Sequence, residues 1–262
     1  MDKNIFKVKG TYVNGQWFNS KTSYEVFNPS NGEKLSDVPI SDRKELELAV
    51  ASAKKAQAVW SKTSLIERAK CLEELSKKIL AKEEEFALID SYDSGNAITG
   101  MRKDVKETVN NIRYFCGLVR EVKGETFSME KNHLNFTRYQ PYGVVLKINP
   151  FNHPFRFCVE KIAAPLLMGN SLIIKNSEQA PISSLRFCEL LDDIFPKGLI
   201  NVVTGGPENG KFLVEHPDIK RIAVIGSVNT GIAIAKSAAP LLKNISLELG
   251  GKNPIIVFDD AD

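Results

Sequence analysis

Histidine and cysteine are scarce, with three and four residues in a chain of 262. Cys71, Cys116, Cys158 and Cys188 are scattered, with no C-x-x-C pair and no histidine clustered beside them. That excludes zinc-ligand spacings and a disulfide framework, and it leaves buried free thiols in helical apolar patterns as the expectation. His133, His153 and His216 form no ligand pattern either, so no metal site is expected. No apolar run approaches the roughly 20 residues of a bilayer-spanning helix. The start, Met1-Asp2-Lys3-Asn4, lacks the apolar core of a signal peptide. A membrane partner is therefore not expected, and a cytoplasmic location is the default. A dominant charge is also missing. Lys+Arg 35 against Asp+Glu 32 leaves a net charge of +3, and the basic residues are interleaved with acids. They read as solvated helix faces and not as a nucleic-acid surface. What is present is a hydrophobic content of 43%, enough to pack one large α/β domain or two smaller ones.

Between residues 11 and 39, short strand-like runs alternate with turn signals. Asn14-Gly15, flanked by Tyr12, Val13, Trp17 and Phe18, predicts a tight hairpin, and Asn28-Pro29-Ser30-Asn31-Gly32 a second turn. Helical periodicity follows. Leu46, Ala49, Ala53, Ala56 and Trp60 share one helix face, with Ser41 or Asp42 as the cap. Ser64 and Glu67 have the capping-box spacing and open a helix carrying Ala69, Leu72, Leu75 and Ile79. Gly95 and Gly100 interrupt. A third helix is expected over 102–122, ended by Gly124, and a strand over 134–139. After Pro141-Tyr142-Gly143 the grammar changes. Apolar runs at 144–148, 172–175, 199–203 and 222–225 alternate with helical stretches at 155–168, 182–194, 210–216 and 231–242. Short β-branched runs without alternation suit strands buried on both faces, and the helices between them are the crossovers that parallel neighbours require. The expectation is an α/β fold, a Rossmann-like doubly wound parallel sheet preceded by an N-terminal β-hairpin and a helical segment. Its ligand crevice should lie at the carboxyl ends of the strands. Further strands are expected at 245–248 and 255–258.

Each strand junction carries polar or glycine-rich residues. In Asn149-Pro150-Phe151-Asn152-His153-Pro154-Phe155, two prolines stiffen the backbone around an asparagine. Such an amide can face a developing oxyanion, or it can simply close an Asx-type turn. In Lys175-Asn176-Ser177-Glu178-Gln179-Ala180-Pro181, a lysine and a carboxylate can hold a diol, or the segment can merely cap the next helix. Gly205-Gly206-Pro207 permits close approach by a ligand, though a plain tight turn is the commoner meaning of such a segment. Gly226-Ser227-Val228-Asn229-Thr230-Gly231 opens a helix, where free N–H groups and the dipole attract an anion. It is not the G-x-G-x-x-G fingerprint. Leu247-Glu248-Leu249-Gly250-Gly251-Lys252 reads locally as a strand ending in a Gly-Gly turn beside an exposed acid.

Taken in order, these segments resemble the aldehyde dehydrogenase superfamily. The first is similar to P-W-N-F-P, with Phe151 for Trp and His153 for Phe, and the second to K-P-S-E-x-x-P, with Asn176 for Pro. The fourth is similar to the pyrophosphate loop, with Ile225 where a Thr is frequent, and the last to the glutamate signature. The resemblance implies NAD(P)-dependent oxidation of a small-molecule aldehyde to a carboxylic acid through a cysteine thioester. It implies catalytic roles for Asn152, in the oxyanion hole, and Glu248, which activates the deacylating water and should be tuned by partial burial. It implies cofactor contacts from Ile148, Asn149, Pro150, Phe151, Lys175, Ser177, Glu178, Gly206, Gly226, Ser227, Thr230, Gly231, Leu249 and Gly250. Glu178 would accept from a ribose diol and repel a 2′-phosphate, so NAD is expected rather than NADP. His153 is expected to pack beside the cofactor path and not to act as a base.

The implied organisation is a hairpin, helices and the start of an oligomerisation strand in 1–140, an NAD-binding domain in 141–246, and the start of a catalytic domain in 247–262. Family members form homo-oligomers; the state of this chain is left open. The family's catalytic cysteine lies beyond the glutamate, and no cysteine follows Glu248 here. The expectation is a truncated chain, inactive alone. A split enzyme completed by a second polypeptide, and a non-catalytic NAD-binding module, are the alternatives.

Overall fold

Asn14 and Gly15 take positive φ, 53° and 69°, in the computed structural model, which describes residues 3–261. Two successive left-handed residues are what a type I′ turn requires. The turn joins β1 (Thr11–Val13) to β2 (Gln16–Phe18). A second antiparallel pair follows, β3 (Ser23–Phe27) with β4 (Lys34–Pro39). Then come four helices: α1 (Arg43–Trp60), α2 (Leu65–Ala81), α3 (Glu83–Ser94) and α4 (Ile98–Leu118). Asp42 caps α1 by accepting from the Glu45 amide, and Ser64 with Glu67 forms the expected reciprocal box on α2. An exposed hairpin, β5 (Thr126–Glu130) with β6 (His133–Phe136), precedes the α/β segment.

That segment runs β7 (Val144–Ile148), α5 (Pro154–Val159), α6 (Ala163–Leu167), β8 (Ser171–Lys175), α7 (Ile182–Phe187), β9 (Ile200–Val203), α8 (Pro207–Glu215), β10 (Ile219–Gly226), α9 (Val228–Ala238) and β11 (Asn244–Leu249). One seven-stranded sheet has the order β11-β10-β7-β8-β9-β1-β2. The first five strands are mutually parallel, and the β1–β2 hairpin is added antiparallel through Tyr12 opposite Val202. Because successive side chains point to opposite faces, the sheet builds two cores. Val144, Leu146, Ile173, Val203, Ile222 and Val224 pack under α1, α8 and α9. Val145, Leu172, Ile174, Ile200 and Val202 pack under α2 and α4–α7. The doubly wound α/β architecture is thus present. From β7 the chain winds outward through β8 and β9, then returns to lay β10 on the other side of β7. The strand order reverses between β7 and β10, the position where such sheets bind ligands.

Several elements differ from the sequence reading. The α3 helix was unforeseen, because its inward face mixes Phe86, Ala87 and Ile89 with two buried acids, Asp90 and Asp93, which erases the apolar period. The third expected helix starts earlier, at Ile98. The stretches expected as single helices at 155–168 and 182–194 are broken by 3₁₀ turns. Residues 255–258 form no strand. Ile255, Ile256, Val257 and Phe258 are 90, 75, 75 and 71% exposed, with no described strand paired to them.

Candidate active site and cofactor cleft

The carboxyl ends of β7, β8 and β10 open into a cleft of about 530 Å³. Ile148, Asn149 and Pro150 come from the end of β7, Lys175, Ser177 and Glu178 from β8, and Ile225, Gly226 and Thr230 from β10 and the start of α9. Eight of the fourteen residues expected to contact a cofactor meet here. The volume lies within the ~300–1,000 Å³ of small-molecule sites.

At one end sits Lys175, only 5% exposed. Its Nζ is 3.4 Å from Glu178 Oε1 and 3.4 Å from the Asn176 carbonyl. Burial lowers the Lys175 pKa, while the Glu178 and Glu208 carboxylates pull the other way. An ammonium with three donors and two long contacts keeps donor capacity for a ligand hydroxyl. Asn149 Nδ2 donates to Asn176 Oδ1 at 2.9 Å, and the Asn149 amide to the Lys175 carbonyl at 3.1 Å, so the β7 and β8 loops are tied together.

At the other end α9 begins. Ser227 caps it, its Oγ accepting from the Thr230 amide at 3.2 Å and lying 2.9 Å from Thr230 Oγ1. The first amides of a helix have no intrahelical acceptor and carry the positive end of the dipole. A diol site and an anion site at opposite ends of one cleft fit a dinucleotide.

The other expected contacts fall elsewhere. Gly206 precedes α8, bordering the cleft only through Pro207, and a Cβ there would lie 2.6 Å from Glu208 Oε2. Gly231 is buried, and a Cβ on it would meet Leu249 Cδ1 at 2.6 Å. The absent side chain therefore lets α9 close on β11, and Gly231 and Leu249 pack on each other. Gly250 is exposed with open space about it, and Phe151 is 48% exposed beside Pro150. Sequence reading missed Glu208, Gly210 and Lys211 on α8, and Ala233, Ile234 and Ser237 on α9. Their only signal was helix phase, since no motif marks them.

Asn152 is exposed on the β7–α5 loop. Its carbonyl accepts from Asn96 Nδ2 at 2.7 Å. His153 Nδ1 lies 2.5 Å from Asp104 Oδ2, and the ring stands edge-on to Phe157, which fits a packing role. Glu248 lies on the opposite face of the sheet, lining a second cleft of about 490 Å³ with Val145, Lys147, Ala223 and Ser246. The two clefts share Asn149 and Ile225. Glu248 is exposed, so the expected partial burial is absent, because no described segment covers that face. Lys147 is buried there. Its Nζ donates to the Phe157 and Cys158 carbonyls at 2.9 and 3.0 Å, and burial pulls its pKa down to about 8. None of the four cysteines lines either cleft. Burial pushes the Cys116 thiol up to about 11 and Cys158 to about 12, and Cys188 lies well above its ordinary value.

Residues 17–262 match the aldehyde dehydrogenase family. Aldehyde dehydrogenase tropH of Talaromyces stipitatus is 37% identical over 256 residues, 96% of this chain and 50% of that protein. Betaine aldehyde dehydrogenase from Staphylococcus aureus, solved with NAD+, superposes with a TM-score of 0.93 at 33% identity, covering 100% of this chain and 53% of the other. An NADP dependent enzyme of E. coli gives a TM-score of 0.92 at 29% identity, covering 100% and 55%. The chain spans about half the length of the relatives it matches. With the family motifs in order on the same fold, the chain belongs to the aldehyde dehydrogenase family.

Proposed function

We propose that this chain carries the cofactor site of an NAD-dependent aldehyde oxidation and binds the dinucleotide in the cleft between β7, β8 and β10. Glu178 and Lys175 hold the adenosine ribose diol, with Ser177 at the loop. Gly226, Ser227 and Thr230 meet the pyrophosphate at the start of α9. Ile148, Asn149, Pro150 and Phe151 shape the path toward the nicotinamide, and Gly206, Gly231, Leu249 and Gly250 fix the surrounding backbone. The 2′-phosphate of NADP would face the carboxylates of Glu178 and Glu208, which favours NAD. When bound, the nicotinamide supplies the hydride acceptor. The substrate is a small-molecule aldehyde. The Asn152 amide donates to the oxyanion, and Glu248 takes the proton of the hydrolytic water. In this reading 141–246 is the cofactor-binding unit and 247–262 belongs to the catalytic part. The exposed apolar residues Phe127, Met129, Leu134 and Phe136 of the β5–β6 hairpin suit a surface covered in a homo-oligomer.

The observation that carries the proposal is the meeting of diol-binding and anion-binding groups at the one position where the strand order reverses. Calorimetric titration with NAD tests it. Saturable one-to-one binding that weakens in Lys175→Met supports it, and absence of binding by the folded chain refutes it. The four cysteines lie outside both clefts with protonated thiols, so the chain alone should not oxidise aldehydes. NADH formation across an aldehyde panel checks this, and turnover abolished by substituting one of these cysteines would overturn it.

A further inference from the structure

Two buried acids on α3 reach the two loops of the proposed site. Asp90 and Asp93 stand three residues apart and therefore share a face of the helix, and they are 1% and 2% exposed. This face packs against α5 and α7. Asp90 Oδ2 accepts from the Phe155 amide at 2.9 Å, and Asp93 Oδ2 accepts from the Ile182 amide at 2.9 Å. Phe155 follows the loop that presents Asn152, and Ile182 follows the loop that presents Lys175 and Glu178.

Both helix starts need an outside acceptor. The first amides of a helix have no partner of their own. Neither His153, before α5, nor Pro181, before α7, supplies a side-chain cap. Pro154 has no N–H, so Phe155 carries the first donor of α5. The acids on α3 provide both caps from a distance. The neighbourhood repeats the theme for the first loop, where Asn96 holds the Asn152 carbonyl and Asp104 holds His153.

We propose that Asp90 and Asp93 are positioning residues, Asp90 for the Asn152 loop and Asp93 for the ribose-binding loop, so that α3 sets the spacing between the two halves of the site. The functional part of this assignment rests on the cofactor reading above. The cost of the arrangement is visible. Asp93 Oδ1 is buried without a partner, and Asp90 Oδ1 has only the nearby Ser183 hydroxyl, which falls short of good hydrogen-bond geometry. Burial accordingly pushes Asp90 up to about 7 and Asp93 well above the ordinary carboxylate range. Acids kept in so unfavourable a place for two amide contacts are consistent with a positional task.

The test uses the full chain with Asp→Ala and Asp→Asn variants at each position. Amide exchange by mass spectrometry resolves residues 149–157 from 176–182, and calorimetry reads AMP and NAD affinity. Asp93→Ala should speed exchange in 176–182 only, and weaken AMP and NAD by the same factor of about ten. Asp90→Ala should speed exchange in 149–157 only. The Asn variants keep an acceptor oxygen and should restore both readouts to within about threefold of wild type. Exchange raised throughout the chain in either Ala variant, or Asn variants that behave like Ala, would overturn the assignment. A folded wild type that binds neither nucleotide would remove the cofactor reading instead, and the exchange pattern would then decide the positioning roles by itself.

Discussion

Replacing Glu178 with Gln removes a charge while keeping a hydrogen-bond acceptor, and it should change which nicotinamide cofactor the cleft prefers. Glu178 stands 3.4 Å from Lys175 Nζ with its side chain 37% exposed. Two unit charges 4 Å apart interact by ~1 kcal/mol in bulk water and ~4 kcal/mol at an effective dielectric of 20. A carboxylate this exposed belongs near the wet end of that range. A 2′-phosphate carries about −1.5 to −2 charges. Removing the carboxylate charge should therefore favour NADP by ~1–2 kcal/mol, roughly a factor of ten. NAD should lose part of its charge-assisted diol contact as well, a further ~1 kcal/mol. The NAD-to-NADP affinity ratio should fall by roughly 30- to 140-fold in all. Calorimetric titration of both cofactors into wild type and Glu178→Gln measures it, and raising the salt should shrink the charge component. Equal affinities in the wild type, or a ratio unchanged in the variant, would refute the assignment of Glu178 to the ribose.

Further outcomes follow from the buried polar groups. Asp90 has its pKa raised by burial to about 7, so the native state holds a proton that the unfolded chain has released. Its contribution is complete below about pH 4 and is lost as pH rises toward 7. Asp90→Asn should reduce that loss by up to ~1.4 kcal/mol per pH unit, read from urea midpoints at pH 5 and 7; an unchanged slope would contradict the burial argument. Trp60 Nε1 donates to the Leu166 carbonyl at 2.8 Å in the core. The Gly169 amide also donates to that carbonyl, at 3.0 Å, so Trp60→Phe should remove one of two donors and cost only ~0.5–1.5 kcal/mol in denaturant unfolding; a loss above ~3 kcal/mol would show that the indole does more there than make this bond.

The sequence was most legible where one local rule decides the outcome. Asn14-Gly15 could only be a left-handed turn, Ser64 and Glu67 satisfied each other across one helical turn, and the β-branched runs had to be strands buried on both faces. The gathering of Ile148, Lys175, Glu178 and Gly226 followed from the parallel order, because it places every junction at one end of the sheet. Illegibility set in where partners are distant in sequence. The docking of the β1–β2 hairpin on β9 depends on a contact across some 190 residues, Tyr12 with Val202. The α3 helix was hidden because Asp90 and Asp93 occupy core positions, their justification lying in amides at 155 and 182. Gly231 looked like a ligand glycine and proved to make room for Leu249. Glu208 and Lys211 reach the cleft through the phase of α8, which no motif encodes. Residues 255–258 have strand composition, but a strand needs a neighbour, and composition cannot supply one.

A crystal structure of the chain soaked or grown with NAD tests the central claim most directly. The adenosine ribose hydroxyls should lie within hydrogen-bond distance of Glu178 and Lys175, and the pyrophosphate against the first turn of α9 beside Gly226 and Thr230. NAD bound at another surface, or a cleft that stays empty at saturating NAD, would contradict it.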